Sequence, residues 1–152
     1  MNPLRLSAPP AHARQLRIWE LTGDAELRVI RTDLHRHFDA DRPDERENAE
    51  LAQRIALVAT ELAGNALRHG TPPVVVRLLG DEDCYVLDVS DHDPHHAPQL
   101  PGPRRQINAG GRGLHIAGSL AQQLCWYKDA DTKHVWASFP RPHRALDTTA
   151  VR

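Results

Sequence analysis

Residues 51–70 read LAQRIALVATELAGNALRHG. Leu51, Ile55, Val58 and Leu62 recur at steps of four, three and four, which lines them along one side of an α-helix. The pattern runs on to Gly70, and Pro72-Pro73 just beyond cannot continue a helix, so the segment is bounded by its own sequence. A helix with one apolar stripe has to bury it against another layer. The segments on either side of this helix therefore decide the fold.

Upstream, Leu27, Ile30, Leu34 and Phe38 form a second helical stripe, from Asp24 to Phe38, whose start is marked by Gly23-Asp24; a loop from Asp41 to Arg46 separates the two helices. Arg14 to Leu21 (RQLRIWEL) alternates well enough for a strand. Downstream, Val74 to Leu79 and Tyr85 to Val89 are Val-rich runs around the turn signal Gly80-Asp81-Glu82-Asp83, which predicts a hairpin. From Asp91 to Arg112 the chain is punctuated by Pro94, Pro98, Pro101 and Pro103 and closed by Gly110 and Gly111; a loop of that length is usually functional or mobile. Leu114, Ala117, Ala121 and Leu124 restart a helical stripe after Gly113, and the runs Leu124 to Lys128 and His134 to Phe139 read as strands.

The order β, α, α, β, β, long loop, α, β, β predicts a mixed, mostly antiparallel sheet with helices on one face, a two-layer α/β sandwich. Residues 1–13 and 140–152 are Pro-rich or polar without periodicity. They are expected to be loose tails around a single domain at 14–139.

Composition removes several function classes. Nineteen Lys and Arg balance twenty Asp and Glu, for a formal charge of -1, and no basic block offers a grip on a phosphate backbone, so no direct nucleic-acid partner is expected. No apolar run approaches the roughly 20 residues of a membrane span, and the N-terminal residues carry no signal-type apolar stretch. The expectation is a cytoplasmic chain with no membrane partner. Cys84 and Cys125 stand in apolar sequence without C-x-x-C spacing and read as reduced, packed thiols.

Three places can carry chemistry. Glu61 and Asn65 are four apart, so they stack on one side of the long helix beside its apolar stripe. A carboxylate there can take a proton from an attacking hydroxyl, and an amide oxygen suits Mg²⁺ beside phosphates; as a pair alone they serve equally as solvated helix surface. Gly110-Gly111-Arg112-Gly113-Leu114 leads into a helix start whose free N–H groups favour anions, or is an ordinary flexible loop end. Asp91 follows the strand Val86 to Ser90 and can accept from an exocyclic amine such as adenine's, or merely form a turn. His92, His95 and His96 beside Asp91 and Asp93 raise the question of zinc, but their Pro-rich context gives no regular scaffold and no Cys joins them.

Taken together, E-x-x-x-N-A-x-x-H-G, then a strand and Asp, then a long loop, then G-x-G-L at a helix start resembles the N, G1 and G2 boxes of the GHKL (Bergerat-fold) ATPases. More narrowly the chain is similar to the small ATP-binding regulators of the anti-sigma-factor serine kinase type, over roughly residues 14–139. The resemblance implies ATP and Mg²⁺ as cofactors, Glu61 as general base, Asn65 as metal ligand, and Asp91 as the adenine-reading acid. It further implies Gly111, Arg112, Gly113 and Leu114 as the phosphate loop, residues 92–112 as the ATP lid, and Thr132 as a base contact. One departure stands out: where the G1 box has D-x-G-x-G, this chain has Asp91-His92-Asp93-Pro94-His95, and Pro94 has a fixed φ and no N–H.

The activity so implied is transfer of a γ-phosphoryl group to a serine or threonine of an anti-sigma-factor antagonist, with a sigma factor as a further partner and a homodimer left open. The alternative is a nucleotide-gated protein-binding module that transfers nothing.

Overall fold

The computed structural model describes residues 4–40, 45–98 and 117–142. The elements are β1 (Arg5–Leu6), β2 (Arg14–Leu21), α1 (Ala25–Ala40), α2 (Glu45–His69), β3 (Val74–Gly80), β4 (Cys84–Asp91), β5 (Gln123–Lys128) and β6 (Lys133–Pro140). They build one six-stranded sheet in the order β1-β5-β6-β4-β3-β2, in which β1 runs parallel to β5 and every other pair is antiparallel. The helices lie on one face, so the two-layer α/β sandwich expected from the element order is the observed architecture. Of the third expected helix, residues 117–120 are described and are helical.

Each long element forms where its sequence period says it should. Helix α1 is opened by Glu26, whose carboxylate accepts from the Gly23 N–H at 2.9 Å and from the Thr22 hydroxyl at 3.2 Å, the reaching-back half of a capping box. The Gly23 bond, foremost among several, holds the Glu26 carboxyl below its ordinary range. Ile30, Leu34 and Phe38 are all but fully buried against α2 and the sheet. Trp19 donates its indole N–H to Asp33 at 2.9 Å and so ties β2 to α1.

Helix α2 buries Leu51, Ile55, Val58 and Leu62 over Val74, Val76 and Leu78 of β3, Leu87 and Val89 of β4, and Val135, Ala137 and Phe139 of β6. Alternation on these strands is strict, so the intervening residues Val86, Asp88, Ser90, His134, Trp136 and Ser138 face the other way. They are buried too.

Part of that burial comes from residues expected to be a loose tail. Arg5 and Leu6 add a strand beside Cys125 and Trp126, Leu4 enters the core, and the Trp136 indole donates to the Ser7 carbonyl at 2.8 Å. Because β1 and β2 occupy opposite edges of the sheet, Ser7 to Ala13 must cross it, and the bond from Trp136 puts the start of that crossing on the face away from the helices. Residues 4–7, within the expected N-terminal tail, thus pair with the sheet and pack against it. A two-residue strand is too short to show periodicity, which is why the sequence hides it.

Truncating the α1 stripe should cost what a filled core costs. Leu34→Ala is expected to destabilise by about 2–5 kcal/mol in urea unfolding, against about 0.5 kcal/mol or less for Val29→Ala one turn away on the exposed side. Equal effects would mean that α1 does not pack as described.

Candidate functional site

The C-terminal end of α2 meets the C-terminal end of β4. A Cβ built on Gly70 would stand 2.5 Å from both Cγ and Oδ2 of Asp91 and 2.8 Å from the Ala66 carbonyl oxygen, so residue 70 has room for a hydrogen and nothing larger. Close approach, not an unusual φ, is what requires glycine here. The chain then returns beside itself, with His92 N–H donating to the Thr71 carbonyl at 2.7 Å.

Asp91 is 3% exposed and sits where the end of a helix dipole is negative, which is unfavourable for a carboxylate. Two groups offset this. Its Oδ1 accepts the Asp93 N–H at 2.8 Å, and its Oδ2 lies 3.5 Å from Nζ of Lys133, the residue directly opposite it on β6. Lys133 is itself buried, at 8% exposed, and donates to the His96 carbonyl at 2.9 Å.

The segment after Asp91 turns without glycine. Asp93 accepts the His95 N–H at 3.2 Å and pairs with the His96 ring at 2.8 Å, so two successive aspartates bond the backbone two residues on. Among the described residues no non-glycine has a positive φ. Side-chain oxygens thus do the turning that the D-x-G-x-G pattern leaves to glycine. Desolvation raises the Asp93 carboxyl, but the bonds from His96 and the His95 N–H outweigh it and leave the group below its ordinary range.

Glu61 and Asn65 lie one turn apart on α2, both half-buried, and neither hydrogen-bonds a described side chain. With a rise of about 1.5 Å per residue, Asn65 is roughly 7.5 Å and Glu61 roughly 13.5 Å along the axis from Gly70. Carboxylate, carboxamide and the Asp91 end are therefore strung along one helix. Gly111, Arg112, Gly113 and Leu114 fall outside the described residues, as does most of the expected lid.

Thr132 is the residue that the structure separates from the others. Its hydroxyl lies 3.0 Å from Nε2 of His134, whose Nδ1 is 2.9 Å from Asp88 Oδ2, and Arg77 approaches the same carboxylate at 3.8 Å. Tyr127 stacks on His134 with ring centroids 4.3 Å apart, and burial, then the Asp88 and Asp129 carboxylates, push its phenol well above the ordinary range. That network occupies the sheet face away from the helices. Lys133, one residue on and therefore on the opposite face, is the β6 side chain that faces Asp91, and the sequence reading assigned it no role. A signal for it existed: counting back in twos from the buried Phe139, Ala137 and Val135 lands on Lys133.

Among the described residues no group of three or more His, Cys, Asp and Glu is arranged to hold a metal ion. No described helix is long and apolar enough to cross a membrane.

The model of the histidine kinase-like ATPase domain matches residues 24–139, which takes in both helices, the hairpin and the closing strands. The chain belongs to that family, the GHKL ATPases. A search among curated proteins returns no match. Domains of this family bind ATP, usually with Mg²⁺.

The tight Gly70–Asp91 contact gives a direct check of the site's frame. Gly70→Ala should lower stability by about 1–3 kcal/mol in denaturant unfolding, since the methyl must displace either a buried carboxylate or the last turn of α2. A neutral or stabilising effect would show that Asp91 does not lie against the helix end.

Proposed function

We propose that this domain binds ATP with Mg²⁺ and works as a regulatory protein kinase, passing the γ-phosphoryl group to a serine or threonine of a protein partner, an anti-sigma-factor antagonist. The observation that carries the reading is the order of groups along α2: the buried acceptor Asp91 at its end, then Asn65, then Glu61. That order follows an extended nucleotide from base through inner phosphates to the terminal one.

Asp91 keeps acceptor capacity for the exocyclic amine of adenine, because Oδ1 has one N–H partner and Oδ2 only the long contact to Lys133. Asn65 fits the metal: its carboxamide is half-buried, has no described side-chain partner, and supplies one hard oxygen, as Mg²⁺ sites shared with phosphates commonly use. When bound, the ion neutralises charge on the triphosphate. Glu61 takes the proton of the partner hydroxyl as its oxygen attacks the γ-phosphorus and the bond to the β–γ bridging oxygen breaks, leaving ADP.

A second reading, in which ATP shapes a partner-binding surface and nothing is transferred, is favoured by Asp93 and His95 in place of the G1 glycines, with Pro94 between them. Pro94 offers no N–H to a ligand, and the Asp91 and Asp93 bonds already order residues 91–96.

Calorimetry with ATP and Mg²⁺ tests the binding site. Asn65→Ala should weaken Mg-ATP binding by at least about tenfold with an unchanged melting temperature, since Ala is the better helix former. Undiminished affinity would remove Asn65 from the site. Labelled ATP with the candidate antagonist then separates the two readings: Glu61→Gln should keep ATP affinity while transfer falls by on the order of 10²- to 10⁴-fold. A parent protein that binds ATP and partner yet transfers nothing is a gated module.

A further inference from the structure

The two ends of β4 meet different surroundings. Asp91 closes one end. Beside the other, roughly 23 Å away at about 3.3 Å per residue, lies an open cavity. Its volume is about 960 Å³, and its lining includes His12, Arg14, Arg141 and the turn Asp81-Glu82-Asp83. Arg141 is held there by its backbone N–H, which donates to the Asp83 carbonyl at 2.9 Å, and by the Tyr85 ring, whose centroid is 4.4 Å from the guanidinium carbon. Its Nε is buried and has no hydrogen-bond partner, an unfavourable state for a charged donor. Among the described residues no carboxylate stands within ion-pair reach of Arg141 or of Arg14. Asp81 is folded back into its own turn, with Oδ1 accepting the Asp83 and Cys84 N–H groups at 2.7 and 2.8 Å.

Two guanidinium groups without an anion suit a carboxylate, which a planar fork binds through paired N–H···O bonds. The turn sets a limit on charge. Glu82 and Asp83 line the same cavity, so they repel a phosphate dianion more strongly than a carboxylate and offer an ammonium its counter-charge. We infer that this cavity binds a small zwitterion of the α-amino acid class, its carboxylate on Arg141 and Arg14 and its ammonium on Glu82 and Asp83. Leu16 and Pro142 give an apolar side chain a wall to lie on. Nothing in this site uses Glu61, Asn65 or Asp91, so the nucleotide reading can fail without it.

Proton–nitrogen NMR on the full chain without nucleotide is the test, with L-leucine, L-leucinamide, isocaproate and inorganic phosphate as probes. Leucine should move the Arg141 Nε–H and Gly80 amide signals saturably at millimolar concentration. Leucinamide lacks the carboxylate and isocaproate lacks the ammonium, so each should bind about tenfold more weakly, the loss expected for one charged contact. Phosphate should bind no better than these. In Arg141→Gln, shown to be folded by its melting curve, the Gly80 signal should report leucine affinity lowered about tenfold with leucinamide affinity unchanged, a split that a collapsed cavity would not produce. Should Arg141→Gln not fold, Arg14→Gln at an exposed position takes its place with the same expectation. Absence of any saturable shift with leucine overturns the site. Leucinamide, isocaproate or phosphate binding as tightly as leucine overturns its chemistry, and undiminished leucine affinity in the variant removes the arginine from it.

Discussion

The last turn of α2 and the last residue of β4 press together until the Asp91 carboxylate fills the space that a side chain on residue 70 would need. Much of the molecule is arranged around that contact. Helix α2 can lie so low on the sheet because its apolar stripe meets the alternate residues of β3, β4 and β6, and it can end there because Gly70 presents no Cβ. Glu61 and Asn65 lie on the same helix, nine and five residues before Gly70.

Burying Asp91 at the negative end of a helix asks for compensation, and the neighbouring elements supply it. Lys133 comes from the adjacent strand, and the Asp93 N–H comes from the turn that Asp91 itself begins. The turn is therefore more than a substitute for missing glycines, since it is built on the buried Asp91 carboxylate and depends on its position. Any group that bonded Asp91 would have to share it with both, so the occupancy of this carboxylate and the conformation of residues 91–96 are coupled through one side chain.

The sheet sorts the remaining polar residues by parity. Asp91 and Lys133 lie on the helix side, whereas Asp88, His134 and Thr132 form a separate hydrogen-bonded chain on the other, flanked by Arg77 and the Tyr127 ring. Neighbours in sequence thus serve different surroundings. Thr132, just before β6, bonds His134 on one face, while Lys133, the first residue of the strand, meets Asp91 on the other.

Periodicity made most of the fold legible before any coordinates: α1, α2 and five of the six strands announce themselves by the spacing of apolar residues, a local property that survives whatever the partner layer is. The spacing of Glu61 and Asn65, and the place of Asp91 at a strand end, were equally local and needed only the geometry of their own element. Other features depended on contacts between distant segments. The pairing of Arg5 and Leu6 with β5 joins residues about 120 positions apart in a strand too short to have a period. The closeness of Gly70 to Asp91 depends on where one helix stops above another element, and the facing of Lys133 toward Asp91 depends on the β4–β6 register. Sequence determined the elements because each is stabilised by its own repeat; tertiary structure alone decided which buried charges meet, because register and helix position are set by packing over the whole sheet.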